Sequence, residues 1–318
     1  MEKELHSFTL PSFSTVSGKN YEIPLSWQVF GRPLHTAPVV LINHALTGNS
    51  LVSGEGGWWT ALVGAGKTVD TDRYTVICFN VPGNGYDGFL LPSYADFTTR
   101  DVARLFLSGL EHLGVRRLYA LIGGSVGGSI GWEMLALKND LTERFVPIAT
   151  DYKTSDWLHS QCLIQRYLLE SEESPLEKAR QHAMLCYRTP ASLNRRFGRA
   201  RLDGGVLKSQ DWLDFHGRRL RERFSLEAYR LMNHLLTTIE VSKESLLAVE
   251  VRVHLLAVDS DLFYPAFEIK ETYEYLKNAG KTVFYHEMTS VHGHDAFLME
   301  YDQLNEILIQ IMNDKNDR

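Results

Sequence analysis

Residues Leu118 to Met134 read LYALIGGSVGGSIGWEM, and the fold is decided at their centre, Gly123-Gly124-Ser125-Val126-Gly127. An apolar run of strand length enters the glycines, and a helix-length apolar segment, Ile130 to Leu137, leaves them. A serine between glycines at such a junction marks a sharp strand-to-helix turn. The tight backbone leaves no room for side chains on either flank, and the serine hydroxyl projects above the end of a sheet. The bare G-x-S-x-G pattern is weak evidence by itself. The strand before it and the helix after it make it specific.

Similar short, β-branched runs recur on both sides of this turn: Val39 to Asn43, Tyr74 to Val81, Phe145 to Thr150, Val251 to Val258 and Thr282 to Glu287. Uninterrupted apolar runs of this length fit strands buried on both faces of a parallel sheet. Amphipathic helical segments alternate with them. Thr98 to Leu113 opens with capping residues and stops at Gly114, and Phe267 to Asn278 stops at Gly280. This alternation predicts a wound α/β sheet, mostly parallel, with helices on both faces. It breaks off after Thr150 and resumes near Val251. The intervening residues read as helical, for example Pro175 to Tyr187 and Leu226 to Ile239. The expected division is a core of residues 1–150 and 248–318 with a helical lid, residues 151–247, inserted between them.

The composition fits one large domain with an insertion: 318 residues, 44% hydrophobic and 23% charged. The segment MEKELHSFTLPSF at the amino end lacks a signal-like apolar core, and no run of about 18 apolar residues occurs, so a cytoplasmic location with no membrane association is expected. Cys78, Cys162 and Cys186 lie far apart and form no C-x-x-C pair, which predicts reduced thiols and neither a disulfide framework nor a zinc site. The net charge of −6 argues against nucleic acid as a partner, yet Leu176 to Arg223 carries +7, leaving −13 for the remainder. A basic island of that kind suits an anionic small molecule.

A serine hydroxyl becomes a nucleophile only when a base takes its proton, and the base needs a carboxylate to orient it. On the α/β-hydrolase fold the chain order is serine, acid, histidine. DSDLFYP follows the strand ending at Val258, offering Asp259 or Asp261, and SVHGHDAFL follows the next strand, offering His292 or His294. Two N–H donors must also face the developing oxyanion. Val126 supplies one, and Leu46, in the loop His44-Ala45-Leu46-Thr47-Gly48, is the expected second; His44 is read as shaping that loop. Gly83-Asn84-Gly85-Tyr86-Asp87-Gly88 matches a dinucleotide fingerprint in letters only, since no helix opens after it. His292, His294 and Asp295 have no further ligands at zinc spacing, so no metal is expected. Trp58 and Trp59 are read as packing residues.

The segments NHALTGNS, GGWWTALVGAGKTVDTDRYTVICFNVPG, DFTTRDVAR, LIGGSVGGSIGWEM, YRTPASLNRRFGR, DSDLFYP and HGHDAFLMEY together resemble the homoserine O-acyltransferase family of α/β-hydrolase-fold enzymes, whose members act in methionine biosynthesis. The resemblance spans nearly the whole chain. It implies that Ser125 attacks an acyl-CoA thioester, with His294 as base and Asp261 behind it, and that the acyl-serine then passes its acyl group to a hydroxy amino acid. It further implies that Asp295 binds the acceptor's amino group and Arg188 its carboxylate, that acetyl-CoA is a co-substrate with no permanently bound cofactor, and that a homodimer forms through the lid. The sequence departs from the family in having Val126 where methionine is usual, a short loop Gly83 to Phe97, and an abbreviated segment between Trp157 and Pro175. These departures touch the walls around the substrates rather than the triad. A serine esterase or thioesterase is the alternative, since water can discharge the same acyl-enzyme. A non-catalytic scaffold on the same fold would be expected to have lost a triad member, and none is missing here.

Overall fold

The computed structural model describes residues 4–313; residues 1–3 and 314–318, which the expected core includes, lie outside the described residues. The chain begins with β1 (His6–Ser14), β2 (Asn20–Gly31), β3 (Val39–Asn43), the short pair β4 (Val63–Gly64) and β5 (Val69–Asp70), and β6 (Thr75–Phe79). Next come α1 (Thr99–His112), β7 (Leu118–Gly124), α2 (Val126–Leu137) and β8 (Thr142–Ile148). A helical run follows: α3 (Asp156–Leu169), α4 (Pro175–Tyr187), α5 (Pro190–Phe197), α6 (Lys208–Arg221), α7 (Leu226–Leu236) and α8 (Lys243–Ala248). The chain then returns through β9 (Arg252–Val258), α9 (Ala266–Asn278), β10 (Val283–Met288), a 3-10 turn at Gly293–Leu298, and α10 (Tyr301–Asn313).

Among the described residues, eight strands form one sheet in the order β1-β2-β6-β3-β7-β8-β9-β10. The pairs β1/β2 and β2/β6 are antiparallel and every other pair is parallel. Alternate residues along each strand feed opposite cores. Leu41, Ile77, Phe79, Leu121 and Phe145 pack with α1, α2 and α9 on one face, while Val40, Ile42, Val76, Ile122 and Val146 pack with α10 and Trp59 on the other. This is the α/β-hydrolase architecture, a mostly parallel sheet covered on both faces.

Three departures from the sequence expectations have physical causes. Strands β1 and β2 form a twisted antiparallel border where β1 is half exposed, and Pro11 falls at the break in register between Leu10 and Phe13; edge strands with proline and polar alternation lack the apolar run that marks the others. Strand β8 starts at Thr142, ahead of the apolar run, because Arg144 is inside it. Its guanidinium lies 4.1 Å over the Tyr119 ring and donates to Tyr119 Oη and the Ile311 carbonyl, which makes a charge acceptable at 2% exposure. Helix α2 begins at Val126 rather than Ile130, its first turn made of glycines. A side chain at Gly127 would sit 2.4 Å from the Asn43 carbonyl oxygen, so the close approach of helix to strand requires glycine there.

Helix starts in the α3–α8 run carry the expected chemistry. Ser155, Thr189, Ser225 and Ser242 each accept a backbone N–H as N-caps, and Pro175 and Pro190 occupy first turns. Among the described residues no helix is long and apolar enough to cross a membrane, and the three cysteines are free.

Candidate active site

Ser125 stands between the end of β7 and the start of α2 with φ 55° and ψ −132°, a backbone conformation that non-glycine residues seldom adopt. Its amide donates to the Ile148 carbonyl at 2.9 Å, which ties the turn to the end of β8. Asp261 follows β9 and His294 lies in the 3-10 turn after β10, so all three project from the same edge of the sheet. Nε2 of His294 is 2.9 Å from Ser125 Oγ and its Nδ1 is 2.7 Å from Asp261 Oδ2. The backbone N–H groups of Phe263 and Tyr264 donate to Asp261 Oδ1 at 2.7 and 2.9 Å. These bonds fix the carboxylate so that Oδ2 faces the imidazole, holding the Nδ1 proton and turning the Nε2 lone pair to the serine.

The alternatives left open by the sequence are now separated. Asp259 accepts the Ser290 amide at 3.0 Å, and Nδ1 of His292 is 2.9 Å from Ser192 Oγ; neither reaches Ser125. His44 bridges two loops, with Nδ1 2.8 Å from its neighbour's carbonyl at Ala45 and Nε2 accepting the Val81 amide at 3.0 Å. Burial pushes its pKa down to about 4, so it stays neutral and shapes the loop that carries Leu46. The Val126 N–H, at the first position of α2, is free of the helix's own bonding and adjoins the nucleophile. Leu46 lies in the turn closed by the Gly48 N–H to the Ala45 carbonyl at 2.9 Å. Trp59 is 1% exposed and stacks on Trp58 at 5.0 Å, and the Gly83 to Gly88 stretch runs on as loop.

Arg188, just past α4, and Asp295, next to His294, meet directly: Nε donates to Asp295 Oδ2 at 2.8 Å. The same guanidinium has Nη1 3.4 Å from Ser192 Oγ and 3.2 Å from His292 Nδ1. It borders a cleft of about 400 Å3 lined by Ser192, Arg195, Arg196 and His292. Gly293 allows this approach, since a side chain there would come within 2.8 Å of the Tyr187 carbonyl oxygen.

Sequence reasoning missed the aromatic enclosure of His294. Tyr187, Phe263, Tyr264 and Phe297 place their rings 5.4, 5.0, 5.7 and 5.6 Å from the imidazole. Tyr187 is so buried that its phenol stays protonated far above the ordinary range. Also missed was Arg223, just beyond α6, which donates to the Thr47 carbonyl at 2.9 Å in the loop that holds Leu46. Tyr187 adjoins Arg188 and Phe263-Tyr264 follow Asp261, so proximity to the motifs was the only available signal. Among the described residues no group of His, Cys, Asp and Glu could hold a metal ion.

A family model of the alpha/beta hydrolase fold matches residues 38–165. The homoserine O-acetyltransferase of Salinibacter ruber is 30% identical, the alignment covering 95% of this chain and 96% of that protein. Among solved structures, the homoserine O-acetyltransferase from Bacillus anthracis superimposes with a TM-score of 0.88 at 19% identity over 98% of each chain. Esterase E22 superimposes with a TM-score of 0.87 at 17% identity, over 98% of this chain and all of that one.

Proposed function

The chain belongs to the homoserine O-acetyltransferase family of the α/β-hydrolase fold, and from that premise we propose an acyl-CoA-dependent O-acyltransferase that works by a ping-pong route through an ester on Ser125. His294 takes the Ser125 proton as Oγ attacks the thioester carbonyl, and Asp261 stabilises the imidazolium that forms. The N–H groups of Val126 and Leu46 receive the tetrahedral oxyanion. CoA leaves as its thiol after receiving the proton from His294. The acceptor hydroxyl then gives a proton to Nε2 and attacks the acyl-serine, and collapse returns that proton to Ser125.

The observation that carries transfer rather than hydrolysis is the Arg188–Asp295 pair beside His294. A hydroxy amino acid such as homoserine is a zwitterion, and it matches this pair group for group: its ammonium goes to Asp295 and its carboxylate to Arg188, with the hydroxyl directed at His294. Simple ester hydrolysis has no use for a half-buried ion pair at that position, since water needs no such recognition. Residues 151–247 act as the lid over the site, and Arg195 and Arg196 suit the CoA phosphates. Acetyl-CoA is the proposed donor, the cytoplasm the proposed location, and a lid-mediated homodimer the proposed assembly.

The second reading, a serine esterase or thioesterase, draws on the fold likeness to esterase E22. The two separate on CoA release from acetyl-CoA by purified protein, with and without L-homoserine, and with Ser125→Ala as control. Strong acceleration by homoserine with formation of the O-acetyl product is the expected outcome. Release of CoA at the same rate without homoserine would overturn transfer in favour of hydrolysis.

A further inference from the structure

A second cavity is lined by none of the triad residues. It is a cleft of about 590 Å3 where the chain leaving β8 meets the first turns of α3 and α8 and one face of α9. Asp151 forms its floor and is 3% exposed. The Tyr152 N–H and the Thr272 hydroxyl, both at 2.8 Å, bond to the same oxygen, Oδ1. Oδ2 is therefore left over for a ligand. Glu268, one turn before Thr272 on α9, lines the same floor. Burial raises both carboxyls, that of Asp151 to about 7. A buried carboxyl beside a half-buried one is costly to ionise until a cation joins them.

The remaining walls are of a different character. Lys153 and Lys243 also line the cleft, their ammonium groups 5.5 and 5.4 Å over the rings of Tyr152 and Tyr275. Trp157 and Phe267 stand at its margin, 52% and 62% exposed, two large apolar surfaces that the core leaves uncovered. Asp156 and Glu271 line the cleft as well, so a ligand carrying only negative charge meets four carboxyl groups, while one carrying only positive charge leaves the two lysines without a partner. A ligand with both charges and an apolar tail meets a partner for each part. The volume is that of small-molecule sites, about 300–1,000 Å3.

We propose that this cleft binds a zwitterionic α-amino acid with an apolar side chain, its ammonium on Asp151 and Glu268, its carboxylate on Lys153 and Lys243, and its side chain against Trp157 and Phe267. The site is separate from Arg188 and Asp295 and does not depend on the acyl-transfer reading. It adjoins the catalytic apparatus through one short path. The Asp151 carbonyl accepts the Ser129 hydroxyl at 3.1 Å, and that hydroxyl lies 3.3 Å from Oη of Tyr264, whose ring stacks on His294.

The test is calorimetric titration of the full chain carrying Ser125→Ala, which removes turnover. The probes are L-norleucine, pentylamine, which lacks its carboxylate, and hexanoate, which lacks its amine. Saturable binding of L-norleucine is expected, with both half-ligands weaker by about tenfold or more. Asp151→Asn is expected to reduce L-norleucine affinity by a similar factor, as is Lys243→Glu, an exposed change at the start of α8 that leaves the core intact. Asp295→Asn is expected to leave it unchanged. Absence of saturable heat at millimolar L-norleucine overturns the proposal, as does loss of binding in Asp295→Asn with retention in Lys243→Glu.

Discussion

Strands β3 and β6 are buried at every position, whereas α5 buries only Ser192 and α6 only Trp212, Gly217 and Leu220. The first region is mostly aliphatic and aromatic and carries no charge; the second carries Arg195, Arg196, Arg218, Arg219 and Arg221 along its helices. The difference separates two duties. Ser125, Asp261 and His294 are attached to the rigid sheet edge, where positions of fractions of an ångström are maintained by close packing. Arg195, Arg196, Arg218, Arg219 and Arg221 come from helices that bury few residues of their own, whereas Arg188 caps α4, which buries Leu176, Ala179, Ala183, Met184 and Tyr187. On the proposed function chemistry belongs to the first region and recognition to the second, and the two meet where Arg188 bonds to Asp295, one residue from His294.

That division is open to test by substitution. Asp261→Asn, on the rigid side, should lower kcat by about 10^4-fold with little change in KM for either substrate, because it disturbs the imidazole tautomer and not binding; a steady-state comparison showing KM effects alone would break the division. Asp151, where the two regions join, should give the next largest effect. Burial raises its carboxyl to about 7, so the native state holds a proton that the unfolded chain has released once pH exceeds about 4. Stability should therefore fall as pH rises through the window from about 4 to about 7, and be constant above it, by an amount on the order of 2–4 kcal/mol. Asp151→Asn keeps an oxygen for Thr272 and removes the titration, and denaturant melts at pH 5 and pH 8 should show the gap between the two proteins widening at the higher pH.

Asp295→Asn should raise KM for the amino-acid acceptor by roughly 10–100-fold, the scale of a lost charged hydrogen bond, while CoA release to water changes little. Equal losses in both rates would place Asp295 with the triad and blur the contrast. The smallest effect is expected for the double change Arg195→Ala and Arg196→Ala: a rise of a few-fold in KM for acetyl-CoA that shrinks with added salt, and none for a small acetyl ester.

The sequence announced the parts of this arrangement that rest on local pattern. The parallel strands were legible because both of their faces are buried, and the elbow because only glycine fits against Asn43 and Thr150. The order of Ser125, the acid and the histidine was legible from the succession of strand ends. What spacing could not decide was Asp261 over Asp259 or His294 over His292. That choice is made in space, by the Phe263 and Tyr264 amides that anchor one carboxylate and by Ser192, from a distant helix, that occupies the other imidazole. The β1–β2 border was hidden because its half-exposed strand lacks an apolar run, and the rings around His294 and the Arg223 bond to Thr47 depend on contacts between segments far apart in the chain that no local periodicity records.

A non-glycine residue at φ 55° and ψ −132° stores on the order of 1–3 kcal/mol that glycine would not. Ser125→Gly should therefore yield an inactive protein more resistant to heat than its parent. The cost in stability is thus carried by the hydroxyl group's position and not by any need of the turn itself, which glycine would satisfy more comfortably.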